Sequence, residues 1–140
     1  MNDAHNLARF VDAQDRVWPQ VLAELRAGRK TSHWMWFVFP QIAGLGNSPM
    51  SQHYAISGLE EARAYLGHPV LGPRLRACAA ASAAIEPGQI ERAFGAIDTI
   101  KLCSSMTLFE LADPSDPVFK DVIERHFAGA RDAATLARLP

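Results

Sequence analysis

The stretch 31–46, TSHWMWFVFPQIAGLG, constrains the fold more than any other part of this chain. Its residues 34–39 read Trp-Met-Trp-Phe-Val-Phe, apolar without interruption. A half-exposed helix or strand alternates apolar and polar residues by face, so a run that is apolar on every side has to be buried all round. The run therefore marks the centre of the core. A helix is expected, with Ser32 as its N-cap and Pro40 as its end, because proline pushes the preceding residue out of the α region. No other segment offers the run a strand partner. His33 and Gln41 stand where the chain enters and leaves this core, and a buried polar group needs a hydrogen-bonding partner. Either they satisfy neighbouring backbone or they form part of a pocket wall.

A chain of 140 residues fits one domain and buries about two-thirds of its unfolded surface on folding. Its formal net charge is −1, so no bulk field draws it to nucleic acid or to an anionic membrane. The five histidines, His5, His33, His53, His68 and His126, lack H-x-x-x-H or H-E-x-x-H spacing, and no metal site is expected. Cys78 and Cys103 sit in apolar helical segments without a CxxC pair and read as reduced core thiols. There is no Walker-type loop and no G-x-S-x-G elbow, and no cofactor is expected. The amino-terminal segment lacks a basic region followed by an apolar run, and no window approaches the roughly 18 apolar residues that cross a bilayer. The expected location is cytoplasmic.

Start and stop signals divide the chain into helices. Asn6 is the expected N-cap of a first short helix with Leu7, Phe10 and Val11 on one face, and Pro19 falls in the first turn of a second with Val21, Leu22 and Leu25 inward. Gly28 closes that helix; Arg26, Arg29 and Lys30 cluster there, complementing the helix dipole or forming an anion site. Gly44 and Gly46 allow positive φ or a close backbone approach in the loop after Pro40. Ser48-Pro49 opens a short helix carrying Tyr54 at its end. Ser57 and Glu60 make a capping box for the next, which closes at Gly67, and His68-Pro69 starts the following one. After Glu86-Pro87-Gly88 comes a turn of helix with Ile90 and Phe94. Asp98 then caps a helix reading TIKLCSSMTLFELA, while Asp116 and Asp132 open the last two. No stretch shows the alternating β-branched pattern of a sheet. The expected fold is all-α, a single compact domain of about eight or nine short helices around a buried aromatic helix.

The TIKLCSSMTLFELA helix is the second informative segment. Lys101, Ser104, Ser105 and Leu108 share one face while Leu102, Met106 and Phe109 share another. An ammonium with two hydroxyls can hold a phosphate or carboxylate, and the same serines can instead bond back to helix carbonyls. Nucleophilic use of either serine needs a base within reach, which spacing does not supply.

Three motifs, SHWMWFVFPQIAGLG, SxxYAIxxLxEAxxYLxHPxLGxRLxxC and KLxSSMTLF, resemble a bacterial family known as domain of unknown function 1810, sometimes labelled calpastatin. The likeness runs from Asn6 to Leu139 and implies an all-helical single domain without bringing an activity. It coincides with His33, Trp34, Trp36, Pro40, Gln41, Gly44, Gly46, Ser48, Tyr54, His68, Pro69, Lys101, Ser104, Ser105, Met106 and Thr107. Cys103 departs from it, standing where the family often has Arg. The chain is also remotely similar to the NADAR superfamily of ADP-ribose-related proteins through Tyr54, Asp98, Lys101, Ser105 and Met106. That similarity implies an ADP-ribose derivative as ligand and N-glycosidic cleavage as chemistry.

Two classes of function follow. In the first, a phosphate-bearing small molecule, nucleotide- or ADP-ribose-like, binds between the aromatic segment and the Lys101 helix, held by His33, Trp34, Trp36, Gln41, Gly44, Gly46, Tyr54, Lys101, Ser104 and Ser105. Indole faces stack on a base and the ammonium meets the phosphate. In the second, the protein is a non-catalytic interaction module or homodimer with no such site.

Overall fold

The computed structural model describes residues 3–140. Among them ten α-helices follow one another: α1 (Ala8–Asp15), α2 (Trp18–Ala27), α3 (Met35–Val38), α4 (Pro49–His53), α5 (Leu59–Gly67), α6 (Leu71–Ala83), α7 (Ile90–Phe94), α8 (Ala96–Ala112), α9 (Pro117–Phe127) and α10 (Ala133–Ala137). The class is all-α, as the helical signals require, with ten helices where about eight or nine are expected. Among the described residues the one β-type pairing is an isolated parallel bridge between Ile42 and Ile56.

The longest helix, α8, forms the middle of the domain and packs against α5, α7, α9 and α10. Leu102, Met106, Leu108 and Phe109 on it are fully buried. An aromatic path joins four helices through the centre: Phe10 to Tyr65 at 5.1 Å, Tyr65 to Phe109 at 5.3 Å and Phe109 to Phe119 at 6.0 Å. Such tilted and edge-on pairs contribute about 0.5–1.5 kcal/mol each beyond the area they bury. The Tyr65 hydroxyl accepts from Gln14 Nε2 at 3.0 Å, and that amide also donates to the Phe37 carbonyl at 2.7 Å. Burial pushes the Tyr65 phenol upward, so it stays neutral.

The aromatic run is buried as its composition demands, yet its helix is a single turn of four residues. Two local causes keep it short. Downstream, Phe39 leaves the helical region with φ −122° and ψ 70° ahead of Pro40. Upstream, Ser32 does not cap α3, because its hydroxyl donates to Glu24 Oε2 at 2.7 Å. Glu24 also accepts from the Thr31 and Ser32 backbone N–H groups at 2.8 and 3.0 Å and from Trp34 Nε1 at 3.0 Å. Burial works against its ionisation. The bonds from the Ser32 hydroxyl, Thr31 N–H, Trp34 indole and Ser32 N–H outweigh that and hold the carboxyl at about 2. One buried carboxylate thus seats the entry to the aromatic run.

Other caps differ from the expected ones by one to three residues. Asn6 sits at φ 52° and does not cap α1; the Asp3 carboxylate accepts from Leu7 N and Ala8 N at 2.7 and 3.0 Å. The partner of Ser57 is Glu61 rather than Glu60, since Glu61 Oε1 accepts from Ser57 N and Oγ at 3.0 and 2.8 Å while Oε2 pairs with Arg9 at 2.8 Å. Helix α8 begins at Ala96, two residues before Asp98, after Gly95 turns the chain at φ 86°. Asp98 pairs with Lys30 at 2.9 Å. Ser48, Asp116 and Asp132 cap α4, α9 and α10 from the expected positions.

Candidate functional site

A cavity of about 170 Å³ lies where three successive stretches between Met35 and Ala55 fold around one another and meet α8. Met35, Trp36 and Phe39 form one wall. The loop from Gln41 through Gly46 forms the second, and Ser51, Gln52, Tyr54 and Ala55 the third. Lys101 reaches in from α8. Each segment is fixed by bonds outside the cavity. The loop is fastened to the segment ahead of α5 by Ala43 N to Ile56 O and Ile56 N to Gln41 O, at 2.8 and 2.9 Å. Arg9 holds the Tyr54 segment by donating to the carbonyls of His53 and Ala55, both at 2.9 Å.

The glycines of the loop have steric reasons. A Cβ on Gly46 would collide with the Ser51 side chain, so glycine is what lets α4 close on the loop. Gly44 has φ +98°, and a Cβ there would lie 2.6 Å from Arg138 Nη1. The Arg138 guanidinium therefore rests on the loop, brought there by α10. Helix α10 is itself tied to α8: Asp132 Oδ2 accepts from Ser104 Oγ at 3.0 Å and from Thr135 N and Oγ1 at 3.0 and 2.6 Å.

Inside the cavity the chemistry is narrow. Lys101 Nζ lies 5.5 Å from the centre of the Trp36 ring, within cation–π range. Among the described residues no carboxylate pairs with Lys101, and no protein hydrogen bond engages the side chains of Gln41 or Tyr54. The titratable groups in the lining are Lys101 and Tyr54; no Asp, Glu, His or Cys lines it. This arrangement offers a flat apolar face, a cation and neutral donors and acceptors.

Of the ten residues singled out from the sequence, Trp36, Gln41, Gly44, Gly46, Tyr54 and Lys101 line this cavity. The other four do not. His33 is exposed and outside the lining. Trp34 is fully buried, its indole engaged by Glu24 and lying under Lys30 Nζ at 4.9 Å. Ser104 bonds to the Ile100 carbonyl at 3.2 Å and to Asp132, and Ser105 is buried with its hydroxyl unpartnered. The stripe Lys101-Ser104-Ser105 thus divides: the rotation of α8 that turns Lys101 to the cavity sends the serines to α10 and to the core. Ser51, Gln52 and the Arg138 on the loop were not singled out. The SxxY spacing held a signal for Ser51, whereas Arg138 had none, being a terminal arginine like any other.

Among the described residues no group of three or more His, Cys, Asp or Glu could hold a metal ion, and no helix is long and apolar enough to cross a membrane. Cys78 is buried, which pushes its thiol up to about 12, and Cys103 is half-buried with Sγ 3.5 Å from the Ala130 carbonyl. The departure at Cys103 therefore leaves the cavity lining untouched.

These features define a class: an all-helical single domain with a small aromatic-walled cavity flanked by one lysine. The chain belongs to the family described as Protein of unknown function (DUF1810), whose model matches residues 4–139 and so takes in all three motifs. It is similar to a solved structure, the conserved hypothetical protein Rv1873 from Mycobacterium tuberculosis, at 50% identity and a TM-score of 0.95 over 98% of each chain. No curated protein matches it. Of the residues that carried the NADAR likeness, Tyr54 and Lys101 line the cavity; Asp98 is paired with Lys30, and Ser105 and Met106 are buried in α8 outside the lining.

Proposed function

We propose that this protein binds a small phosphate-bearing molecule with a flat ring, of nucleotide or ADP-ribose type, in the Trp36–Lys101 cavity. The observation that carries the reading is the ammonium of Lys101 above the Trp36 ring, free of any acidic partner among the described residues. A ring stacked on the indole and an anion beside the ammonium would use both groups at once.

Size narrows the ligand. A cavity of about 170 Å³ is close to the roughly 150 Å³ that accommodates benzene in an engineered apolar cavity, and below the roughly 300 Å³ at which whole drug-sized ligands are enclosed. One ring, a base or a pentose, fits inside, and the rest of a nucleotide would lie over the Gly44 loop. N-glycosidic cleavage is most often assisted by a carboxyl or imidazole at the leaving group or the attacking water, with Lys and Tyr as rarer acids and bases. No carboxyl or imidazole lines the cavity and its titratable groups are Lys101 and Tyr54, so the lining favours binding over bond cleavage.

The test is a titration of adenine, ribose 5-phosphate, AMP and ADP-ribose against tryptophan fluorescence and thermal stability, with Lys101→Ala alongside. Saturable responses to the phosphate-bearing compounds that Lys101→Ala weakens are expected. If none of the four changes either signal, the reading fails. A second reading, an interaction module or homodimer, has its own observation. Ile97 and Ile100 on α8 are 72% and 63% exposed, and Leu136 on the adjoining α10 is 43% exposed. Sedimentation of Ile97→Lys beside the parent chain tests it: a dimer that the substitution dissolves supports it, and a monomer at every concentration removes it.

A further inference from the structure

A second and larger cleft, of about 750 Å³, opens between the C-terminal turn of α2, the end of α6 and α7. It shares no residue with the Trp36–Lys101 cavity. Leu25 and Ile85, both buried, contribute to its lining. Its charged edge carries Arg26, Arg29 and Arg92 against one acid, Glu86.

Outside the cleft six cations form ion pairs, among them Arg9 with Glu61 at 2.8 Å, Lys30 with Asp98 at 2.9 Å and Arg131 with Glu110 at 2.6 Å, while Arg16, Arg63, Lys101, Arg125 and Arg138 form none among the described residues. The three cleft arginines form no ion pair and no side-chain hydrogen bond among the described residues. Helix-dipole complementation accounts for Arg26 and Arg92 one at a time, at about 0.3–1 kcal/mol each, since each lies in the last turn of its helix. It does not account for Arg29, which lies beyond the cap. Gly28 takes a left-handed φ of 66° and returns the chain, so that Arg29 N bonds to the Glu24 carbonyl at 3.0 Å and its side chain joins the same cleft. Three like charges in one concavity repel each other unless an anion sits between them.

We propose that this cleft is an anion site for a ligand with two or more linked phosphate groups. Guanidinium forks bind phosphate oxygens in pairs, and two or more linked phosphates offer three separate forks more acceptor oxygens over a longer span than one phosphate does. Three cations set against one carboxylate match the charge of a pyrophosphate or longer chain. The linked phosphates belong either to a free oligophosphate or to the tail of a nucleoside di- or triphosphate.

Calorimetric titration of the full chain with phosphate, pyrophosphate, tripolyphosphate and ATP tests this. Pyrophosphate and tripolyphosphate are expected to bind at least about ten-fold more tightly than phosphate. Arg26→Gln, Arg29→Gln and Arg92→Gln, at exposed positions where thermal melting checks the fold, should each weaken them several-fold, and Lys101→Ala should leave them unchanged. ATP is compared in Lys101→Ala, which disables the aromatic cavity: binding at the strength of tripolyphosphate marks recognition through phosphates alone, and tighter ATP binding that Arg29→Gln weakens marks a nucleotide. No saturable binding of pyrophosphate, binding indifferent to all three arginines, or binding lost in Lys101→Ala would each overturn the proposal. The last outcome would move the phosphates to the aromatic cavity and leave the reading of that cavity standing.

Discussion

Replacing Glu24 by Gln removes one charge and one of its two acceptor oxygens, and the structure sets the size of the effect. The carboxylate is 7% exposed and accepts four bonds of 2.7–3.0 Å from the segment that leads into the aromatic run. A carboxyl held at about 2 in the folded chain, against 4.5 when free in water, is bound as the charged form more tightly in the folded chain by about 3 kcal/mol. Thr31 is exposed and Ser32 half-buried, so water reclaims part of what they lose, and Gln keeps one acceptor oxygen. The expected loss for Glu24→Gln is therefore about 2 kcal/mol near pH 7. Because the folded value lies below the unfolded one, this contribution is complete above about pH 4.5 and disappears as pH falls towards 2. Urea unfolding of both chains, followed by circular dichroism from neutral pH to pH 3, should show a stability difference that narrows below 4.5. A difference that stays constant with pH, or a variant as stable as the parent throughout, would refute the assignment of that charge.

Three further substitutions probe the frame of the site. Gly72→Ala places a Cβ against the Leu66 carbonyl oxygen, which belongs to the backbone and cannot swing aside; a loss of about 3 kcal/mol in urea unfolding is expected. Gly44→Ala forces an L-residue to φ +98° and displaces Arg138 from the loop, with a loss of about 1–2 kcal/mol read by thermal melting. Asp132→Ala removes the cap of α10 together with the partners of Ser104 and Thr135. A loss of about 2 kcal/mol is expected, with faster hydrogen exchange at the α10 amides than in α8.

The helix grammar carried most of the fold. Ser48-Pro49, Asp116-Pro117 and Gly28 act where their residue types are strongest, at first turns and at a left-handed cap. The misplacements share a physical cause, which is that tertiary partners compete for the same polar groups. Ser32 is taken by Glu24, Asp98 by Lys30, and Glu61 serves both Ser57 and Arg9. Periodicity can assign Lys101, Ser104 and Ser105 to one helix face. It cannot say that α10 packs on that face and receives Ser104. Arg138 shows the same limit, because its place on Gly44 depends on how α10 docks, many residues from the loop it covers.

The central claim, that a ring enters the cavity beside Trp36, can be read one indole at a time. The chain has three tryptophans, and their indole N–H resonances report on three different surroundings. Trp34 is sealed in the core and bonded to Glu24, Trp18 lies against Arg74, and Trp36 lines the cavity. Titration with AMP in a two-dimensional ¹H–¹⁵N experiment should move the Trp36 indole resonance saturably and leave those of Trp34 and Trp18 in place, with the shift lost in Lys101→Ala. A Trp36 resonance that stays fixed while AMP, ribose 5-phosphate and ADP-ribose are each taken to millimolar concentration would contradict the account.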